Sequence, residues 1–263
     1  MALPAFSQVH YRKSPLRLVI AQVRFPVLLR FGEKAIVAEL EGALRNEYPI
    51  TTVEQQVNVQ LGSEQPSIAN ATLYRFANVE ASWSVVLGDT ALTLESRVYT
   101  NIDDLISRFQ RASTAAARAF AISASQRIGL RYINEFRFPQ FDSLGSWRSQ
   151  FNPNLGGRAD AQFDEPAESM LQHFQVSRSD GTFSVRHGFL RGTTVLFPSE
   201  AVPPNSPFYL LDLDYFEERS RSMDIEGMAQ QLRAFNDTIY RFFRWTMTER
   251  LHHALEPDNA NGR

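Results

Sequence analysis

The sequence predicts an α+β protein, with antiparallel sheets and long helices packed on one face. Three observations carry that prediction. Short alternating segments come in runs rather than singly between helices; two such runs each close with one long amphipathic helix; and the breaks inside the runs have hairpin chemistry. The central element is the stretch from Arg127 to Phe138. Its even positions carry Ile128, Leu130, Tyr132, Phe136 and Phe138, and its odd positions carry Arg127, Arg131, Glu135 and Arg137. Side chains alternate across a strand, so one face is expected to pack against helices and the other to present charge.

Taken in order, Pro15 to Pro26 is the first strand, bounded by prolines that suit strand ends. After Gly32, the residues Ile36, Leu40, Ala43 and Leu44 recur at helical spacing, and Pro49 stops that helix. Thr51 to Leu61 alternates imperfectly and reads as a strand near a sheet edge. Leu73–Phe76, Trp83–Leu87 and Leu92–Val98 are short strands, the last two joined through Gly88-Asp89-Thr90, where a turn needs positive φ. Asn101 is placed to cap a helix whose first turn holds Asp103 and Asp104, where the helix dipole favours acid. Its apolar stripe runs from Ile102 to Phe120 and predicts helix to about Ser125.

Beyond Pro139 the periodicity fades, and residues 140–168 read as a long irregular connection with one helical turn. Strands are expected again at Met170–Ser177 and Thr182–Phe189, around a turn at Ser179-Asp180-Gly181. A short strand at Thr193–Phe197, a Pro-rich crossing through Pro198, Pro203, Pro204 and Pro207, and a strand at Phe208–Phe216 follow. From Ile225 to Leu255 apolar residues keep helical spacing, which predicts one continuous helix. Phe242, Phe243 and Trp245 spread beyond a single stripe, so that helix needs a cover besides one sheet face, supplied by the other half of the chain or by a second subunit in a homodimer.

This order divides into a first half at 1–139, a connection at 140–169 and a second half at 170–263. Residues 73–125 and 170–255 both run strands and then a long helix, the pattern of an internal duplication of a βββα-type unit. No sequence identity between the halves accompanies it.

Composition removes several classes of function. The chain has 263 residues, no cysteine and a formal net charge of -2. That length buries a core without staples. The absence of cysteine excludes disulfides, thiolate nucleophiles and cysteine-based zinc sites. The charge gives no electrostatic case for nucleic acid or for an anionic membrane. Lys13 and Lys34 are the only lysines, so arginine supplies the positive charge, as codon bias in a GC-rich genome would produce. Neither a signal peptide nor a run of about 18 to 20 apolar residues is visible, and a cytoplasmic protein is expected.

Motif chemistry is sparse. Glu249-x-x-His252 is half of a carboxylate-bridged metal motif without a second copy, and its histidine sits where the helix dipole favours one anyway. Leu155-Gly156-Gly157-Arg158 matches no phosphate-binding loop and reads as a turn. No cofactor and no metal is expected. What remains is a polar ladder. Arg24 and Gln22 project from the first strand, Arg127, Arg131 and Glu135 from the central one, and Asp212 and Asp214 from Phe208–Phe216. Neighbouring strands would then carry alternating guanidinium and carboxylate on one sheet face. Three readings stay open: ion pairs that fix register, a polar floor for a small anionic ligand or a protein segment, and acid–base chemistry by the two aspartates.

Several of these segments resemble a sporadically distributed bacterial family of uncharacterised proteins of about this length. They are Pro15-Leu16 with Val23-Arg24-Phe25-Pro26, Tyr48-Pro49, Leu211-Asp212-Leu213-Asp214, the Phe243 to Leu251 end of the last helix and, most specifically, Arg127-Ile128-Gly129-Leu130-Arg131-Tyr132-Ile133-Asn134. Arg17 departs from the family pattern, where a small or acidic residue is common. The resemblance implies a fold unit and no catalytic residue, and a patchy distribution suggests defence-associated or toxin-neutralising roles. Residues and resemblance together lead to the expectation of a non-enzymatic ligand- or protein-binding module. The rival is a hydrolase or nucleotide-modifying enzyme using Arg131, Glu135, Asp212 and Asp214.

Overall fold

A computed structural model describes residues 3–60, 67–138, 140–155, 167–191 and 207–258, without the side chains of 56–60 and 67–70. Nine strands form one antiparallel sheet among these residues, accompanied by five helices. The strands are β1 (Leu16–Arg24), β2 (Ile50–Gln60), β3 (Ser67–Ala77), β4 (Trp83–Leu87), β5 (Ala91–Ser96), β6 (Ala124–Phe136), β7 (Gln172–Arg178), β8 (Gly181–Leu190) and β9 (Phe208–Ser222). The helices are α1 (Lys34–Leu44), α2 (Ile102–Phe120), α3 (Leu144–Arg148), α4 (Ile225–Thr246) and α5 (Glu249–Ala254). The sheet order is β2-β3-β4-β5-β1-β6-β9-β8-β7, which places β2 at an edge as expected. Short turns join β3 to β4, β4 to β5 and β7 to β8, because antiparallel neighbours need little connecting chain.

The chain groups into two compact units. One holds Leu18–Leu130 and Phe216–Ala234; the other holds Met1–Arg17, Arg131–Tyr215 and Phe235–Arg263. The chain therefore passes between units within β1, β6, β9 and α4, and the expected divisions at 139 and 169 fall inside the second unit.

In the first unit, Val19, Ala21 and Val23 of β1 and Leu92 and Leu94 of β5 are fully buried on one face. The two strands pair antiparallel in the register Ala21↔Leu94. Helix α2 lays Leu105, Phe109, Ala112 and Ala116 into the core and packs on β5 and α1. Asn101 caps it as expected, its Oδ1 accepting from Asp104 N–H at 2.9 Å. The helix ends at Phe120, short of Ser125, because Ala121 turns left-handed (φ 53°) and closes the last turn with its N–H on Ala117 O.

In the second unit, α4 covers the core face of the sheet. Phe235 stacks on Tyr215 with centroids 4.3 Å apart, Phe242 meets Phe183 edge-on at 5.1 Å, and the Tyr132 hydroxyl donates to Asn236 Oδ1 at 2.7 Å. Within the described part of the irregular connection, α3 is capped by Ser143 and inserts Trp147, which is fully buried. Its ring lies 5.1 Å from Phe141 and 5.8 Å from Tyr209. Removing such a side chain costs about 3 to 5 kcal/mol, so this stretch is core rather than linker. The turn at Gly156-Gly157-Arg158, the strand at Thr193–Phe197 and the Pro-rich crossing through Pro204 lie outside the described residues.

Two sequence expectations need correction. The continuous helix over Ile225–Leu255 is broken into α4 and α5. The chain around α3 supplies the cause: Asn152 N–H donates to Thr246 O at 2.7 Å, and both Thr248 N–H (3.0 Å) and Thr248 Oγ1 (2.9 Å) donate to Gln150 O. Thr248 Oγ1 also accepts from Leu251 N–H and caps α5. Threonines that bond local backbone compete with helix continuation. The second correction is to the charged face of β6. It is wet only as far as Arg131, because Ile133 and Glu135 on the same face are buried.

Strand β9 also runs six residues past Phe216, to Ser222. The stretch Glu217-Glu218-Arg219-Ser220-Arg221 is polar on both faces and gave no period-two signal, yet Met223 N–H still donates to Ser123 O at 2.9 Å.

Candidate functional site

The ladder residues form two clusters, one in each unit. In the first unit Gln22 is the hub. Its Oε1 accepts from Arg127 at 3.1 Å and from Arg24 Nε at 3.3 Å, while its amide donates to Thr93 Oγ1 at 2.9 Å. The Arg127 guanidinium lies 4.4 Å over the Phe216 ring and reaches Glu218 at 3.8 Å. Arg24 is exposed at the end of β1.

In the second unit Asp212 is the hub, with a side chain only 5% exposed. Arg131 grips it with both arms, Nε to Oδ1 and Nη2 to Oδ2, each at 2.7 Å. Arg186 of β8 adds a contact to Oδ2 at 3.3 Å. Burial works against the Arg131 charge, and Asp212 with Asp214 more than offsets it, so its pKa rises. Glu135 is held by Arg137 at 2.8 Å and approached by Arg17 at 3.9 Å. Arg137 in turn caps the Phe208 ring at 4.4 Å. Alternation on β6 and β9 thus delivers the facing read from the sequence, and the groups that meet are complementary. A planar fork on a carboxylate is the strong geometry for such pairs.

That complementarity limits what the ladder can do. Asp212 receives guanidinium donors from two strands, and Glu135 is engaged on the sheet itself. An incoming anion would have to displace a carboxylate to reach Arg131. Neither of the two cavities described in the molecule is lined by Arg131, Glu135, Asp212 or Asp214.

The larger of those cavities, about 620 Å³, opens on the other face of the sheet in the second unit. Phe174, Phe242 and Trp245 form aromatic walls, with Phe242 and Trp245 centroids 5.4 Å apart. Trp245 is half-buried here, so the cavity wall accounts for part of the apolar surface in excess of one stripe on α4. Its volume falls in the range of ligand pockets.

His187 lines this cavity and is the polar group that sets its chemistry. It stands on β8 in the row Phe183, Val185, His187, Phe189, a core face, and is 1% exposed. Its Nδ1 is 2.8 Å from the Tyr209 hydroxyl. Burial pushes the imidazole pKa down to about 4 and the Tyr209 hydroxyl well up. Both groups are therefore neutral at pH 7. Tyr209 itself is fixed between Phe151, stacked at 4.0 Å, and Trp147. The close approach of Met170 shapes the neighbouring strand: a Cβ on Gly188 would stand 1.9 Å from Met170 O, so only glycine fits beside His187.

Sequence reasoning passed over this site. Its one local signal is a histidine at a core position of an alternating strand, a place where a polar group must find a partner. The partner is 22 residues away, and the walls come from β7 and α4.

The Glu249-x-x-His252 pair does not gather a metal set, and no cluster of His, Asp and Glu suited to a metal occurs among the described residues. His252 Nδ1 is instead 2.9 Å from the Tyr11 hydroxyl, which also accepts from Arg244 at 3.1 Å. No described helix is long and apolar enough to cross a membrane.

Compared with known proteins, the chain matches no family model and no curated protein.

Proposed function

We propose that the protein is a non-enzymatic binding module that holds a small molecule in the His187 cavity. One observation carries this reading: a buried, neutral histidine has one ring nitrogen engaged by Tyr209, while the same ring lines a cavity of ligand size with aromatic walls. Polar groups placed in an apolar pocket are what orient a ligand. The ladder at Asp212 has the opposite character, since its charges are consumed by one another. In this reading Arg24, Arg127, Arg131, Glu135, Asp212 and Asp214 hold strand register, and the rival enzyme reading loses support because Arg131, Glu135 and Asp212 are already engaged in ion pairs.

The wider setting rests on the resemblance of the segment Arg127 to Asn134 to the sporadic bacterial family described above, whose patchy distribution suggests a role in defence or toxin neutralisation. Native mass spectrometry on protein purified from its own host tests the binding reading directly. A stoichiometric small-molecule adduct is the expected result. A protein partner seated in place of any adduct, or turnover of an added nucleotide or ester, would overturn it.

A further inference from the structure

We infer that the His187 cavity selects a neutral, planar heteroaromatic molecule carrying a hydrogen-bond acceptor. This deepens the binding reading above and rests on it.

The shape argument comes first. Phe242 and Trp245 are tilted by 38° at 5.4 Å, and Phe174 stands edge-on to Phe242 at 6.3 Å. Flat rings gain most against such walls, through offset and edge contacts beyond the area they bury. Phe174 is 39% exposed, so a ring inserted beside it would cover apolar surface that the fold leaves open.

Charge argues next. No Asp, Glu, Lys or Arg is among the residues that line the cavity, and the second histidine there, His173, has its Nε2 engaged by Ser184 Oγ at 2.9 Å. An ion entering it would surrender hydration with no opposite charge to meet, which is costly in an apolar site. Neutral ligands escape that cost. The contrast with Asp212 on the opposite face is direct, because there Arg131 and Arg186 are spent on one carboxylate.

Hydrogen bonding supplies the selectivity. The Tyr209 hydroxyl is buried, and its contact is His187 Nδ1. If Nδ1 carried the ring proton, that proton would point at the Tyr209 oxygen and leave the hydroxyl hydrogen without an acceptor. The assignment that satisfies both groups has Tyr209 O–H donating to Nδ1, which puts the ring proton on Nε2. Nε2 has no protein partner among the described residues, so the ring offers one N–H donor and no acceptor. A ligand must therefore bring an acceptor, a ring nitrogen or a carbonyl oxygen. Asn154 and Gln172 bring amides that can meet further polar edges of the same molecule.

Quinoxaline and naphthoate are the two probes, since both are flat fused bicyclic rings that bring an acceptor and they differ in charge. Both are titrated into the wild-type protein at neutral pH, reading tryptophan fluorescence and the nitrogen-15 shifts of the His187 ring. Quinoxaline is expected to bind at least about 10-fold more tightly than naphthoate, equivalent to about 1.4 kcal/mol. It is also expected to move the Nε2–H resonance while Nδ1 stays unprotonated. Equal or tighter binding of naphthoate would overturn the neutral class and leave the cavity a binding site. Quinoxaline binding with an unmoved His187 ring would overturn the acceptor requirement. If neither probe binds, the heteroaromatic class and the binding reading fall together.

Discussion

Two polar sites lie on opposite faces of the same pair of strands, and they differ in one respect. At Asp212 the donors and acceptors balance, with Arg131 gripping the carboxylate through two bonds of 2.7 Å and Arg186 close behind. At His187 they do not: one nitrogen is engaged by Tyr209 at 2.8 Å and the other faces no protein group among the described residues. Buried polar groups that are fully paired specify a fold, whereas a donor turned toward a cavity can be met by what enters it. The abundance of arginine and carboxylate drew attention to the first site, but count is a poor guide to function. What separates a scaffold from a binding site is whether the charges are already spent.

The comparison can be broken most severely at Asp212. Asp212→Ala would leave two guanidiniums facing each other across β6, β9 and β8, and is expected to cost about 3 kcal/mol in urea unfolding. The figure is at the low end for a broken buried pair because the Arg131 side chain is 31% exposed. Arg131→Leu combined with Asp212→Leu should recover more than half of that loss. A cost below about 1 kcal/mol for Asp212→Ala would show that the ladder holds nothing.

At the cavity the double change His187→Leu with Tyr209→Phe removes both partners together. It is expected to cost about 1 kcal/mol or less at pH 7, since no polar atom is stranded. Naphthalene-sized apolar probes should still enter, while acceptor-bearing ones should lose their advantage in fluorescence titrations. A loss as large as that at Asp212 would mean that the cavity is a structural network too.

Acid sharpens the contrast further. The His187 pKa is lowered to about 4 in the folded protein, against about 6.5 for an unperturbed histidine. Between those values the unfolded chain binds a proton that the folded protein refuses, so stability rises with pH across that window and falls as pH drops from about 6.5 toward about 4. The contribution is fully present above the upper value. Subtracting the unfolding curve of the His187→Leu, Tyr209→Phe protein should isolate this slope, and parallel curves would show that His187 is not held neutral.

The smallest effect belongs to Arg24. It is exposed and touches the sheet through a 3.3 Å hydrogen bond to Gln22, so Arg24→Ala should stay within about 0.5 kcal/mol of wild type. A larger loss in thermal melts would extend the ladder to the end of β1.

Much of the fold was legible because period and punctuation agree. Leu92 and Leu94 alternate, Asn101 precedes Asp103 and Asp104, and Val19 to Phe25 lie between prolines. Those are local signals, and the elements they mark are present. The ladder was legible for the same reason, as strand alternation fixes which side Arg131 and Asp212 share. The break at Thr248 was not, because the helical stripe continues through it and the competing acceptor, Gln150 O, belongs to a distant segment. The His187 cavity was hidden in the same way. A lone histidine carries little information until Tyr209, Phe242 and Trp245 are known to surround it.

The break at Thr248 has a kinetic consequence. With its own cap, α5 can detach without unwinding α4, and its attachments run to the segment near Tyr11. Lys13 N–H donates to Leu255 O and Arg12 N–H to Glu256 O, each at 3.1 Å. Helix α5 has six residues and is anchored by Leu251 and Leu255, far less than the 22 residues of α4 bury, so it opens locally at a smaller free energy. Amide protons of residues 251–256 should therefore trade with deuterium together with those of Arg12 and Lys13, at one shared rate. The middle of α4 should hold its protons until the whole molecule opens, so the two helices that the sequence joins would behave as separate clocks.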